Sequence, residues 1–441
     1  MGRSNQKSRR PELVELDVHD LLHDGRGVAR RDGKAVFVSG ALSGERVRAL
    51  ISDRHRHYDE ATTVAVLLAS PDRIEPRCVH FGVCAGCVLQ HLDPAAQIAA
   101  KQKTLLDNLE RIGNVQPQTL LPALVGDHWG YRRRGRLSVR HVEKKGRTLV
   151  GFREVNGKHV ADVQQCHVLD PRIGTRIERI GALVSAMDAR SSLPQIEIAI
   201  ADNVLALVFR HLNPLSAGDT QKLIEFAKQE GIAVLLQPGN NDSVHALWPE
   251  QIDLSLRIPH YDITLDFRPL DFIQINGPMN ERMIEHALAQ LDVQPDEDVL
   301  DLFCGLGNFT LPIARHARSV VGIEGEHGLV ERARHNAQRN AIGNAEFFVA
   351  DLSTDQRHSA WGARRYDKLL LDPARAGADK VIEWLPSKHL RRIVYVSCHP
   401  GSLARDAGLL VHEHRFKLRA AGVMDMFPHT AHVESIAVFE R

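Results

Sequence analysis

Residues 299–310 read VLDLFCGLGNFT, and the fold is decided here. Val299, Leu300, Leu302 and Phe303 make a short apolar run, as a strand does when a parallel sheet is covered on both faces. Gly305 and Gly307 follow as a turn. A helical pattern then opens with Thr310, Leu311, Ile313 and Ala314. Strand, glycine turn and helix bring backbone N–H groups at a helix start close to a nucleotide-like ligand. A glycine turn alone is equally an ordinary strand-to-helix connection. This one is Asp-x-Phe-x-Gly-x-Gly-x-x-Thr, not the dinucleotide fingerprint.

Moving outward toward the C-terminus, the pattern recurs. The run 320–323 ends in Glu324, about 20 positions after the turn, where an acidic residue holds a ribose hydroxyl pair. The run 347–350 ends in Asp351, 369–371 ends in Asp372-Pro373, and 393–396 ends in Ser397-Cys398. Each strand delivers a polar residue to its C-terminal end, the edge where open α/β sheets bind ligands. The expected fold class is therefore α/β and Rossmann-like.

Four stretches in order, DLFCGLGNFT (301–310), LDPARAG (371–377), YVSC (395–398) and DMFPHTAHVES (425–435), resemble the RNA uracil-C5 methyltransferases that use S-adenosylmethionine. The resemblance implies a methyltransferase domain over 266–441. It implies cofactor contacts from Gln274, Phe303, Asn308, Glu324, Asp351 and Asp372. It also makes Cys398 the nucleophile and Glu434 the general base. His399 stands where such enzymes commonly carry asparagine.

The base itself shows why two such residues are needed. Uracil C5 is a poor nucleophile. Addition of a thiolate to C6 turns C5 into an enolate-like carbon that can accept a methyl, and the C5 proton must then leave. Cys398 follows an apolar strand in a tight Ser-Cys-His-Pro turn, which predicts an exposed thiol with a lowered pKa. Cys304, inside the glycine turn, reads as a small packing residue. Asp372-Pro373-Ala374-Arg375 lacks the tyrosine of the Asn/Asp-Pro-Pro-Tyr motif found where exocyclic amines are methylated. Asp372 is expected to hold the cofactor or the uracil edge.

Toward the N-terminus, 11–69 consists of short alternating runs separated by Asp24-Gly25, Asp32-Gly33 and Ser43-Gly44. That spacing predicts a small closed barrel of OB-like type. Residues 23–30 and Phe37-Val38 resemble the TRAM domain, an RNA-binding module. Arg26, Arg30, Arg31, Arg54 and Arg56 are expected to line a phosphate-facing side. The start, MGRSNQKSRRPE, is polar and basic and lacks a signal-peptide core.

Between these ends, 70–265 reads as a central α+β domain. Cys78, Cys84 and Cys87 form C-x5-C-x2-C, and Cys166 comes later. Three close thiolates and a distant fourth suit a tetrahedral site, and spacing leaves zinc and iron–sulfur both open. The resemblance implies a [4Fe–4S] cluster, with Ala85 where many relatives have glycine. His80 and His91 read as ordinary loop residues. Asp93-Pro94 opens a helix over 93–113, with Ile98, Leu105, Leu109 and Ile112 on one face and Gly113 at its end. The resemblance packs it on the catalytic domain. Residues 131–140, YRRRGRLSVR, form the strongest basic patch and are expected to contact RNA phosphates. The run 196–209 reads as strands.

The chain has 441 residues and a formal net charge of +1, so an RNA surface must come from local patches. No apolar run approaches the ~20 residues of a membrane span. A cytoplasmic monomer that binds 23S rRNA is expected, with no membrane contact. Clustered cysteines there favour a metal over disulfides. The barrel and the cysteine set favour the members of the family that act on 23S rRNA. A tRNA enzyme, an enzyme for another 23S uridine, and a non-catalytic iron–sulfur RNA-binding protein are the alternatives.

Overall fold

The computed structural model describes residues 12–385 and 389–441. Most of the basic N-terminal stretch, residues 1–11, lies outside them. The chain divides into two compact units. One runs up to Lys101 and takes in His429–His432. The other is Gln102–Pro428 with Val433–Arg441.

In the first unit, β1 (Glu12–Leu21), β2 (Gly27–Arg31), β3 (Lys34–Ser39), β4 (Arg46–Arg54) and β5 (Tyr58–Leu68) close a barrel in the order β1-β2-β3-β5-β4. Alternation builds it: Leu16, Val18, Val36, Val38, Val47, Ala49 and Ile51 point inward. A parallel β3–β5 pair and an antiparallel β1–β4 pair complete the closure. After the barrel the chain is mostly turns and isolated bridges, packed on Leu42, Leu89 and Leu92.

The helix α1 (Pro94–Arg111) begins in the first unit and ends in the second. Asp93 Oδ1 accepts from the Ala95 N–H at 2.9 Å, the expected cap. Leu105 and Leu109 are buried, but Ile112 is 54% exposed, so the apolar face stops one turn earlier than its spacing predicts. The left-handed residue past the helix is Asn114, not Gly113. Gly113 serves close packing instead: a Cβ there would lie 2.4 Å from the Ala404 carbonyl oxygen.

The second unit holds two large sheets. After β6 (Thr119–Leu120) come β7 (Arg134–Val142) and β8 (Arg147–Gly151), then α2 (Pro171–Gly174), α3 (Ile177–Ser185), β9 (Gln195–Ile200) and β10 (Leu205–Arg210). Next are α4 (Ala217–Glu230), β11 (Ala233–Gln237) and β12 (His245–Trp248), giving a six-stranded sheet in the order β12-β11-β10-β9-β7-β8. A hairpin of β13 (Leu254–Ile258) and β14 (Ile263–Phe267) precedes α5 (Gly277–Leu291).

The remaining elements are β15 (Asp298–Leu302), α6 (Thr310–Ala314), β16 (Ser319–Glu324), α7 (His327–Arg339), β17 (Ala345–Val349), β18 (Lys368–Leu371), α8 (Asp379–Trp384), β19 (Arg392–Ser397), α9 (Pro400–His412), β20 (Lys417–Met424) and β21 (Glu434–Glu440). They form an eight-stranded sheet in the order β17-β16-β15-β18-β19-β21-β20-β6. The first five strands in that order are parallel, and β21 enters antiparallel between β19 and β20. One apolar core runs from Ala199 through Met283, Val299 and Leu370 to Val438. Among the described residues no helix is long and apolar enough to cross a membrane.

Candidate active site

The glycine turn leaves the sheet abruptly. Phe303 lies outside the strand with φ +68°, and Gly305 and Gly307 also have positive φ. A non-glycine residue there is strained, and the surroundings must hold it. They do so through β16: the N–H groups of Phe303 and Cys304 both donate to the Ile323 carbonyl, at 2.9 and 3.0 Å. Glu324 then accepts from the Gly305, Gly325 and Glu326 N–H groups at 3.1, 2.7 and 3.1 Å. A Cβ on Gly305 would meet nothing within 4 Å, so this backbone borders open space, as a ligand cradle must. Cys304 is buried, as a packing residue should be, and burial pushes its thiol far up.

Two residues near the turn were given no role by the sequence reading. Asp301, the first residue of the 301–310 motif, is fully buried. The Thr310 hydroxyl donates to its Oδ2 at 2.5 Å, while Oδ1 has no partner. Burial, with smaller contributions from Asp372 and Glu324, pushes this carboxyl up to about 8. A lone carboxylate in a strand buried on both faces was the available signal. Asn280, on α5, exchanges reciprocal amide hydrogen bonds of 2.9 and 3.0 Å with Asn308.

The reacting edge is set by strand register. Ser397 on β19 pairs with Ser435 on β21, and the Ser435 hydroxyl donates to the Ser397 carbonyl at 3.3 Å. One step beyond that pair, the same register would set Cys398, just past β19, across from Glu434, the first residue of β21. Directly opposed residues of an antiparallel pair share a face. Asp372 follows β18, whose Leu371 pairs with Tyr395 of β19. The three groups act on one another electrostatically.

That electrostatics corrects one expectation. The Cys398 thiol is not lowered but pushed up to about 11, first by burial and then by Glu434 and Asp372. Its own backbone N–H and Arg375 pull weakly the other way. Glu434, 3% exposed, is raised well above the carboxylate range by burial and then by Asp372. Burial raises Asp372 to about 7. Burial is the first cause for all three acids, and a cation placed beside them would draw all three back down. The sulfonium of S-adenosylmethionine is one, and the open glycine turn beside it fits the rest of such a molecule.

His399 has a definite role. It caps α9, its Nδ1 accepting from the Ser402 N–H at 3.1 Å. An asparagine would offer an acceptor of the same kind. Gln274 sits in the loop before α5, not in a strand. That loop is braced: the Arg133 N–H donates to the Ile275 carbonyl at 2.8 Å, and the Arg134 guanidinium donates to the Pro269 carbonyl. Asn276 caps α5 as expected, accepting from the Met279 N–H at 3.2 Å. Phe272, beside Gln274, is 71% exposed, an aromatic the sequence reading did not single out. Asp351 is exposed past β17, and the Ser353 hydroxyl and N–H hold it below the usual carboxylate range.

The outlying candidates are less gathered. Cys78, Cys84 and Cys87 lie in one turn-rich loop of the first unit, where the Gly86 N–H donates to Cys84 Sγ at 3.4 Å. Cys166 belongs to the second unit. Among the described residues no group of three or more histidine, cysteine, aspartate or glutamate side chains stands close enough to hold a metal ion. The donors are those of a thiolate site. His91 is buried against Phe81, and burial and Arg73 push it down to about 4.

The arginines are largely engaged within the fold. In the barrel, Arg26 pairs with Asp24 and Glu60, while Arg31 and Arg54 share Glu12. Arg30 donates to the Gly33 carbonyl at 3.3 Å, and Arg56 is exposed. In 131–140, Tyr131 is buried with its hydroxyl on the Pro428 carbonyl. Arg133 pairs with Asp202 and Arg136 with Glu197, so Arg140 is left as the exposed basic residue of that run without a recorded carboxylate.

Comparison with known proteins agrees with this geometry. The family profile described as tRNA (Uracil-5-)-methyltransferase matches residues 95–441. The chain is 61% identical, over the full length of both, to the 23S rRNA (uracil(1939)-C(5))-methyltransferase RlmD of Xanthomonas campestris pv. campestris strain 8004. It is 58% identical, again over full length, to the protein of the same name from Xylella fastidiosa strain 9a5c. A crystal structure of the Pyrococcus abyssi tRNA (uracil-54, C5)-methyltransferase in complex with S-adenosyl-L-homocysteine superposes with a TM-score of 0.73. It covers 97% of this chain and all of that one at 22% identity, a likeness of fold. Matched across most of its length by the profile and along all of it by these relatives, the chain belongs to the tRNA (uracil-5-)-methyltransferase family.

Proposed function

We propose that this chain transfers a methyl group from S-adenosylmethionine to C5 of the 23S rRNA uridine that its relatives' name numbers 1939. The observation that carries the chemistry is the β19–β21 ladder, whose last pair, Ser397 with Ser435, directly adjoins Cys398 and Glu434. The substrate rests on the full-length likeness to those relatives.

The Cys398 thiol gives its proton to solvent, and the thiolate bonds to uracil C6 as the C5–C6 π pair moves onto C5 and O4. S-Adenosylmethionine, when bound, would supply the electrophilic methyl that C5 takes up, the S–CH3 pair staying on the sulfur of the departing neutral thioether. Glu434 then takes the C5 proton, C5–C6 unsaturation returns, and the Cys398–C6 bond breaks to release the thiolate. A cation in the site lowers the pKa of Cys398 and of both carboxyls together. Thiol and base therefore ionise when the methyl donor is in place. Phe303, Asn308, Glu324, Asp351, Gln274 and Asp372 would hold that donor. The base must leave its stack to reach the edge. The barrel and the remaining exposed arginines would grip the surrounding RNA.

The test is methyl transfer from labelled S-adenosylmethionine to unmodified 23S rRNA and unmodified tRNA side by side, with the product nucleoside located by mass spectrometry. 5-Methyluridine at one 23S position is expected. Label confined to tRNA would overturn the substrate, and no label in either would overturn the activity.

We also infer a [4Fe–4S] cluster on Cys78, Cys84, Cys87 and Cys166. It is supported by their spacing and by the family resemblance, not by the side-chain placement. No step of the methyl transfer depends on it. Anaerobically purified protein should be brown and contain about four irons per chain. Stoichiometric zinc without iron would sink the assignment.

A further inference from the structure

One carboxylate away from the reacting groups joins three elements that carry them. Asp406, on α9, is fully buried. Its Oδ2 accepts from the Tyr395 hydroxyl of β19 at 2.6 Å and from the Ala378 N–H at 2.6 Å. Its Oδ1 accepts from Arg405 Nε at 2.9 Å, and Arg405 Nη2 reaches on to the Ala376 carbonyl at 2.8 Å. The loop so held, 372–378, starts with Asp372 and carries Arg375. Tyr395 is three residues before Cys398, and α9 begins two residues after it.

The approach is close enough to dictate sequence. Gly377 has φ +86°, and a Cβ there would lie 2.6 Å from both Asp406 Oδ2 and Arg405 Nη2 and 2.9 Å from Ser402 Cβ. The loop lies against this helix face with no room for a side chain. Buried carboxylates with several donors hold their neighbours in one geometry.

We propose that Asp406, with Tyr395, is a positioning residue for methyl transfer, fastening the 372–378 loop to α9 and so fixing Asp372 and Arg375 against Cys398. This rests on the uridine methylation read above. The loop brings two charges to bear on the Cys398 thiol, Asp372 pushing it up and the exposed Arg375 pulling it more weakly down. Releasing the loop should loosen both and misplace Asp372, while leaving the substrate-binding surfaces intact.

The test uses the full chain with Asp406→Asn and Tyr395→Phe. Two readouts are taken on each: kcat and KM for methyl transfer, and the pH dependence of Cys398 alkylation by iodoacetamide without RNA or cofactor. Asp406→Asn should lower kcat at least about tenfold, and Tyr395→Phe a few-fold, with KM values within about threefold of wild type. In both, the alkylation profile should shift to lower pH, because the loop carries Asp372, whose effect on the thiol exceeds that of Arg375. A folded variant that keeps the wild-type kcat, or the wild-type alkylation profile, overturns the proposal even if its melting temperature falls. If Asp406→Asn does not fold, Tyr395→Phe decides alone. Should wild-type protein transfer no methyl at all, the reading above fails, and the alkylation profiles still decide the clamp.

Discussion

The ligand edge of the eight-stranded sheet and the basic segments elsewhere treat charge in opposite ways. In the barrel and in 131–140, five of the ten arginines singled out are neutralised by carboxylates of the fold: Arg31 and Arg54 on Glu12, Arg26 on Asp24 and Glu60, Arg133 on Asp202, Arg136 on Glu197. At the sheet edge, Asp301, Asp372, Cys398 and Glu434 are all raised, and Arg375 offsets this only weakly at the thiol. A fold can settle its charges internally, or leave them unsettled where a ligand will supply the counterpart. The first arrangement shapes a surface. The second is a chemical demand, and it marks the site more sharply than any count of basic residues.

The largest effect expected from breaking this contrast lies at the unsettled end. Cys398→Ala should abolish transfer, a loss on the order of 10⁴ or more, and form no RNA adduct. Glu434→Ala should slow turnover by about 10²–10⁴ yet still form the thioether, so that a denaturation-resistant protein–RNA adduct accumulates on gels. Normal turnover by Glu434→Ala would remove it as the base.

Asp301 gives a second, intermediate test through stability. Its folded pKa of about 8 lies above the usual 3.8. Between those values the folded state binds more protons than the unfolded state, so stability falls as pH rises from about 4 to about 8. Asp301→Asn should flatten that slope by an amount on the order of a few kcal/mol across the window. The check is urea unfolding at several pH values, and an unchanged slope would mean that this carboxyl ionises normally.

The smallest effect belongs to the settled end. Arg56→Ala should weaken RNA binding slightly and reduce the salt slope of log K by about one. Arg54→Ala should do less, since its guanidinium already serves Glu12. Filter-binding titrations at several salt concentrations would separate the two. Equal effects would mean that RNA readily draws Arg54 away from its carboxylate.

The catalytic fold was legible because it is written locally. The run 299–310 contains strand, turn and helix start within twelve residues, and the strands after it each end in a polar residue. The barrel was legible for a similar reason, its turns falling at regular Asp-Gly and Ser-Gly pairs. What escaped depended on distance along the chain. The raised pKa of Cys398 arises from Glu434 and Asp372, which no local spacing reveals. The engagement of Arg133 depends on Asp202, sixty-nine residues away. The pairing of Cys398 with Glu434 proposed above came from family resemblance. Nothing in 398 or 434 alone says that β21 folds back between β19 and β20. Asp301 is visible at the head of the 301–310 motif, but its burial and raised pKa depend on the sheet around it.

That antiparallel insertion of β21 has a consequence for how the enzyme tolerates change. The spacing of Cys398 and Glu434 is stored in a backbone ladder that runs from Ser397–Ser435 to Arg392–Glu440, not in the loop that joins β20 to β21. The loop is itself buried at Met426, His429 and Val433, and the Tyr131 hydroxyl and the Asn276 amide hold its Pro428 and Met426 carbonyls, so its length is constrained as well. A single residue inserted between 435 and 440 puts the two ends of β21 out of phase. With the far end still paired, it turns the Glu434 carboxylate to the opposite face of the sheet. The placement of that carboxylate and the packing of the strand would be lost in the same event.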